Sequence, residues 1–171
     1  MKNTRYITFS ALISALSVVI LLLGSLLNLL DLTAVMVASL FLLIAREEMG
    51  LRSIGIYVVT LVISILVPYT LVAGIEYAII ALYPIVKPYV DRLPAVFRWT
   101  LRVIYFVAAS GGIFLVSRFM VAEAPLYADI LLACGCLLIF FLYDILLYRF
   151  TMYYRFKLRN RLRIDRFFNQ F

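Results

Sequence analysis

The chain has no histidine, little charge and almost no cysteine. Its 171 residues include no His, 15% charged residues and two cysteines, while 66% are hydrophobic. Without imidazole, histidine metal sites, Ser-His-Asp triads and histidine proton relays are excluded. Cys134 and Cys136 point about 200° apart on a helix, so we expect inert thiols and no metal site. No nucleophile lies beside a base, and we expect neither an enzyme nor a cofactor.

The apolar content exceeds what the core of a soluble domain requires. Mean hydropathy is +1.08, whereas ordinary soluble domains are about 45–50% apolar and about 25% charged. The surplus must therefore face lipid. The net charge of +7 comes from basic residues in short gaps between long apolar runs, which is typical of membrane orientation signals and not of a nucleic-acid-binding face. We expect no nucleic-acid partner.

Six apolar segments approach the roughly 20 residues that a membrane-spanning helix needs. The sequence predicts an all-α, polytopic membrane protein in which residues 1–150 form a six-helix transmembrane domain and residues 151–171 form a basic, aromatic tail. The predicted helices cover residues 6–30, 32–45, 54–67, 71–86, 97–121 and 126–148. The first segment is longer than the 7–15 apolar residues of a signal peptide, so we expect it to be retained as a helix.

The basic residues lie on one side of this arrangement. If the N-terminus is cytoplasmic, every Lys and Arg except Arg118 falls in an inner loop or at a terminus. Because cytoplasmic loops carry the excess of positive charge, we predict that both termini are cytoplasmic. The expected location is the plasma membrane of a prokaryote, crossed several times.

The C-terminal tail repeats Phe150, Tyr154, Leu158 and Leu162 every four residues among arginines. This pattern predicts a continuation of the last helix along the inner leaflet, attracted by anionic lipid at about 1 kcal/mol per basic residue. The alternative is an anchor for topology with no partner. The residues assigned to the lipid surface are Arg155, Lys157, Arg159, Arg161, Arg163 and Arg166.

Acidic residues at the predicted outer end need an explanation, because carboxylates near the bilayer are costly. Glu76 lies about five residues, or roughly 7.5 Å, into the fourth helix. With neighbouring polar residues it predicts a pocket open to the outside; the candidates are Asn28, Asp31, Tyr69, Glu76, Arg118, Glu123 and Tyr127. The alternatives are solvation or helix capping for Asp31 and Glu123, and an internal ion pair between Glu76 and Arg118. At the inner end, we expect Asp144 to pair with Arg98 or Arg102.

The first helix carries a stripe of small residues near its cytoplasmic end. The stripe consists of Ser10, Ala11, Ser14, Ala15 and Ser17. Small residues four apart allow close helix approach in lipid, where packing drives association. The stripe fits either a contact within the chain or a partner subunit.

With these features the chain resembles the substrate-binding S components of energy-coupling factor (ECF) transporters. Those proteins are small, basic and six-helical with both termini inside, and their alanine motif on the first helix is matched by Ala11 and Ala15. The resemblance implies that this motif, with Ser14, docks on a transmembrane scaffold subunit driven by two cytoplasmic ATPases. It also implies that a small solute from outside binds in an outward-facing pocket for uptake. The outer acids are compatible with a cationic or polyhydroxylated solute and select neither.

A second interpretation comes from another class of protein. Scaffolds of the cell envelope, like the rod-shape-determining D proteins of cell-wall elongation, are similarly small and multi-helical. In that case the alanine stripe and the basic tail are contact surfaces, and Glu76 is structural.

Overall fold

The computed structural model describes residues 2–27, 31–67, 70–120 and 126–159, and the described chain is helical in almost every residue. The side chains of residues 2, 3, 5, 116–120 and 126–133 lie outside the description. The helices are α1 (Lys2–Leu27), α2 (Asp31–Met49), α3 (Ser53–Leu66), α4 (Leu71–Ile80), α5 (Leu82–Val90), α6 (Ala95–Met120) and α7 (Leu126–Tyr153). A 3-10 turn, Gly50–Arg52, joins α2 to α3, and a π-helical segment, Tyr154–Leu158, follows α7.

Four stretches of the described residues are long and apolar enough to cross a membrane. They are Tyr6–Leu27, Asp31–Leu66, Leu71–Val90 and Cys134–Leu158, and the second of them contains both α2 and α3. The all-helical architecture predicted from the sequence is confirmed, and the four apolar stretches indicate a membrane protein.

Helix α3 has the polarity of a helix that faces lipid. It buries Ser53, Thr60 and Ser64, each 0% exposed, while Val62 is 50% exposed and Leu66 is 75% exposed. A helix in water would bury its aliphatic face and expose its hydroxyls. In lipid the aliphatic side chains face outward, and small or hydroxyl residues form the contacts between helices.

The chain divides into two compact units. The first consists of residues 1–85 and 146–171. In it α1 packs on α2 and α3, and α4 packs on the same two helices. The core includes Leu21, Val35, Leu42, Tyr77 and Ile80, all 0% exposed.

Glycine permits the close approach of α3 and α4. A Cβ atom at Gly74 would lie 3.2 Å from the backbone carbon and the Cβ of Ser64. The Ser64 carbonyl, near the end of α3, accepts a hydrogen bond of 2.7 Å from the hydroxyl of Thr70, the residue before α4. This bond links the end of α3 to the start of α4.

The predicted fourth helix, 71–86, is interrupted at Ala81. Helix α4 ends at Ile80 with the Ala81 N–H donating to the Tyr77 carbonyl at 2.9 Å, and α5 begins at Leu82. Pro84 explains the break, because its ring crowds the carbonyl four residues earlier, that of Ile80, and offers no N–H to it.

The second unit consists of residues 86–145. The Phe106 ring of α6 stacks on Phe140 of α7 with centroids 5.7 Å apart. Asp144 accepts from Arg102 Nη1 at 3.0 Å and pairs with Lys87 Nζ, and Arg102 also binds Asp91. The predicted pair of Asp144 with Arg102 is confirmed, and Lys87 is a partner that the sequence did not indicate.

Candidate docking groove and acidic site

An open groove of about 740 Å³ runs along the first unit between α1 and α3. Its α1 wall contains the small-residue stripe predicted to contact another helix. The lining residues are Tyr6, Ile7, Ser10, Ala11, Ser14, Ala15, Met49, Arg52, Gly55, Ile56, Val59 and Ile63. The three predicted partner-docking residues, Ala11, Ser14 and Ala15, therefore lie in one groove.

The stripe on α1 is divided between the two faces of the helix. Ser14 and Ser17 are buried, at 6% and 0% exposure, whereas Ala11 and Ala15 are exposed in the groove. The Ser10 hydroxyl donates to the Tyr6 carbonyl at 2.8 Å, so this wall presents little unsatisfied polarity. Ser14 and Ser17 therefore pack within the unit, whereas the described residues leave Ala11 and Ala15 uncovered.

The opposite wall comes from α3 and was not indicated by the sequence analysis. It consists of Gly55, Ile56, Val59 and Ile63. Apart from its chain neighbours and the backbone of its own helix, no atom of the described structure lies within 4 Å of a Cβ built at Gly55, so a side chain there would project into open space. The glycine inside this predominantly apolar helix was the available signal, because glycines in membrane helices often mark close helix contacts.

One end of the groove carries a polar rim. The Arg52 guanidinium lies 5.0 Å from the centroid of the Tyr6 ring, within the range of a cation–π contact. The Ser10 hydroxyl also lies 3.6 Å from Met49 Sδ. The rim belongs to the connection between α2 and α3, where Gly50 has a φ of 60°. Glycine enters this left-handed region without a Cβ penalty.

Of the seven predicted solute-binding residues, the structure describes the side chains of Asp31 and Glu76. Asn28, Tyr69 and Glu123 lie outside the described residues. Arg118 lies on α6 and Tyr127 on α7, and their side chains are outside the description. The pairing of Glu76 with Arg118 and the predicted pocket as a whole remain predictions.

Asp31 and Glu76 lie on two helices of the first unit, α2 and α4, that pack on each other. Asp31 is the first residue of α2 and Glu76 lies in the middle of α4. The Asp31 carboxylate acts electrostatically on Glu76. Asp31 Oδ1 and Glu76 Oε2 are both buried, and neither has a hydrogen-bond partner in the described part of the chain.

The start of the tail binds acidic residues of the first unit. Arg155 forms two hydrogen bonds, of 2.8 and 3.0 Å, with the Glu47 carboxylate. Glu48 accepts from the Tyr154 hydroxyl at 2.8 Å and pairs with Arg159 Nε at 3.2 Å. Two of the arginines assigned to the lipid surface thus bind protein carboxylates. The signal was a Glu-Glu pair in a loop that is otherwise basic and that the sequence predicts on the inner side.

Of the other basic residues assigned to the lipid surface, the structure describes the side chain of Lys157. Lys157 Nζ lies 5.7 Å from the centroid of the Tyr153 ring. Arg161, Arg163 and Arg166 lie outside the described residues. The lipid-surface role of the tail stays a prediction.

Comparison of the chain with models of protein families, with curated proteins and with solved structures finds no match. The functional proposal therefore depends on the groove, the acidic pair and the charge distribution.

Proposed function

We propose that this protein is an integral membrane, substrate-binding subunit for the uptake of a small solute, and that it docks through the α1–α3 groove on a transmembrane partner energised by ATPases. The observation that carries the proposal is the open groove itself, with Ala11 and Ala15 exposed on its wall. A stripe of small residues that is left uncovered in lipid offers a contact surface to a helix of another protein.

The size of the groove suits a transmembrane helix. Its α1 wall runs from Tyr6 to Ala15, roughly 14 Å along the helix axis and about half the thickness of the hydrocarbon core. Alanine, serine and glycine on both walls let a helix backbone approach closely, where dispersion contacts replace the missing hydrophobic driving force.

The proposed topology has six membrane crossings with both termini in the cytoplasm of a prokaryotic cell. Its support is that this topology puts every Lys and Arg except Arg118 in an inner loop or at a terminus, in agreement with the excess of positive charge in cytoplasmic loops. The stretch Asp31–Leu66 supplies two crossings, since α2 and α3 are separate helices joined by a 3-10 turn and packed on each other. In this topology the groove rim at Arg52 faces the cytoplasm, and Glu76 lies toward the outside.

In the scaffold interpretation, the same groove binds a partner protein and the protein binds no solute. The acidic pair of Asp31 and Glu76 favours the transport interpretation, because ionisable residues held inside membrane helices commonly mark ligand or ion pathways. A scaffold needs no unpaired carboxylate at the opposite end from its contact surface.

The docking claim is tested with bulky residues in the groove. The double variant Ala11→Trp, Ala15→Trp should abolish copurification of the partner complex from native membranes, because two indoles fill the space that a helix would occupy. Gly55→Leu blocks the same space from the opposite wall and should have the same effect. The matched control is Leu12→Trp, Leu16→Trp, which changes exposed residues of the same helix that do not line the groove.

Quantitative mass spectrometry of the copurified proteins decides between the outcomes. Loss of a membrane protein together with ATPases in both groove variants, and not in the control, supports the transport proposal. Loss of a partner set without ATPases supports the scaffold. Copurification that is unchanged in both groove variants removes the docking claim.

A further inference from the structure

Glu76 is a carboxylate buried without compensation. Its side chain lies on α4 within an apolar stretch that can cross a membrane, and the residue is 9% exposed. Glu76 Oε2 is inaccessible and has no hydrogen-bond partner, and no ion pair of Glu76 occurs within the part of the chain that the structure describes. Burying an unpaired carboxylate costs several kcal/mol, so such a group either takes up a proton or pairs with a cation.

Among the described residues, the surroundings of Glu76 supply further oxygen atoms and no ion-pair partner. Asp31, at the start of α2, acts on Glu76 as a like charge, and its Oδ1 is buried without a partner. In the last turn of α1, at the same end of the unit, the Ser25 hydroxyl is also buried without a partner. Three neighbouring helices thus each contribute an unsatisfied oxygen at this end.

We propose that Glu76 and Asp31 bind a small monovalent cation, with Na⁺ as the representative ligand. A site that offers only carboxylate and hydroxyl oxygens selects hard cations. The positive end of the α2 dipole is equivalent to about half a positive charge, so it leaves about 1.5 negative charges on the two carboxylates, most of which one monovalent cation offsets. Among the described residues no group of three or more His, Cys, Asp or Glu side chains is placed to hold a metal, which argues against a cage for a divalent ion.

The cation site goes beyond the proposed function, because binding at Asp31 and Glu76 requires neither the groove nor a partner. At this site the outer end of the first unit binds a cation without any partner protein. In an uptake protein, such a site would make the stability of the solute-binding end depend on the Na⁺ concentration outside.

The test uses the full-length protein purified in detergent without sodium. Thermal unfolding is followed at constant ionic strength while choline chloride is replaced by NaCl, by KCl or by a low concentration of CaCl₂. Saturable binding of radioactive ²²Na⁺ is measured on the same preparations. The variants are Glu76→Gln and Asp31→Asn, and the control is Asp91→Asn, a carboxylate in the second unit whose side chain is 38% exposed.

We expect NaCl to raise the unfolding midpoint by a few degrees for each tenfold increase in concentration above the dissociation constant. Glu76→Gln should abolish this rise and the ²²Na⁺ binding. Asp31→Asn should weaken binding roughly tenfold through the lost attraction of one carboxylate, and Asp91→Asn should leave it unchanged. A response to K⁺ that depends on Glu76 in the same way also supports a monovalent site.

Three results overturn the proposal. The first is a native protein that responds to Na⁺ and K⁺ no more than to choline and binds no ²²Na⁺, which would identify Glu76 as a neutral carboxylic acid. The second is a response to Ca²⁺ alone. The third is ²²Na⁺ binding that survives in Glu76→Gln. None of these results depends on copurification with a partner, so the experiment tests the cation site independently of docking at the groove.

Discussion

At the residue scale, the buried charges of this protein differ in whether they are compensated. Asp144 shares its carboxylate between Lys87 and Arg102, and the side chains of the three residues are 7–15% exposed. Glu76 is buried to a similar degree and has no such partner among the residues that the structure describes. A membrane protein retains an uncompensated carboxylate at a cost, so the contrast separates a structural acid, Asp144, from a candidate ligand-binding acid, Glu76.

Asp144→Asn should destabilise the protein by about 3 kcal/mol, because it leaves two buried cations without their common counter-charge. Thermal unfolding of the purified protein measures the loss. Asp91→Asn is the matched control: its partner is also Arg102, but its side chain is 38% exposed, so its change should cost less than about 1 kcal/mol. Equal destabilisation by the two variants would show that the pairing at Asp144 is not the source of its effect.

At the element scale, two glycines of the first unit have opposite surroundings. Gly74 of α4 lies against Ser64 of α3, whereas Gly55 of α3 faces the open groove. The first glycine sets a distance between two helices of the unit, and the second keeps a surface accessible.

Gly74→Val should therefore lower the stability of the isolated protein by about 1–3 kcal/mol, because the added carbons push α3 and α4 apart. Gly55→Val is the control, and it should leave the stability unchanged or slightly higher, since valine is the better helix former. Both variants are compared by thermal unfolding in the same detergent. A Gly74→Val protein as stable as the control would mean that α3 and α4 do not approach as closely as described.

At the scale of the whole molecule, the topology determines which aqueous side each end of the bundle faces. Leu51, in the 3-10 turn between α2 and α3, is 60% exposed, and Leu66, at the end of α3, is 75% exposed. In the proposed topology these two positions lie on opposite sides of the membrane.

In a background with Cys134→Ser and Cys136→Ala, Leu51→Cys should react with a membrane-impermeant maleimide only after the cells are permeabilised. Leu66→Cys, the control from the other end of α3, should react in intact cells. Labelling at Leu51 in intact cells would reverse the orientation, and labelling of both positions from one side would remove α3 as a membrane crossing.

The acids that hold the tail show why one part of the chain was harder to anticipate. Arg155 and Arg159 were predicted to face lipid because arginines recur there among aromatic residues. In the structure they bind Glu47 and Glu48, which lie about a hundred residues earlier. The charge pattern of a sequence shows that an arginine needs an anionic partner. It does not show whether that partner is a lipid headgroup or a protein carboxylate.

The sequence alone determined the helical character of the chain, its long apolar stretches, the small-residue stripe on α1 and the pairing of Asp144 with an arginine of α6, either Arg98 or Arg102. These features follow from local hydropathy, helical spacing and the cost of an unpaired charge, which act on neighbouring residues. Only the tertiary structure decided that α3 forms the second wall of a groove beside Ala11 and Ala15, and that Glu76 is buried with no ion pair to any described residue. Which helix covers which face depends on packing between segments distant in the chain, and local patterns carry no information about that choice.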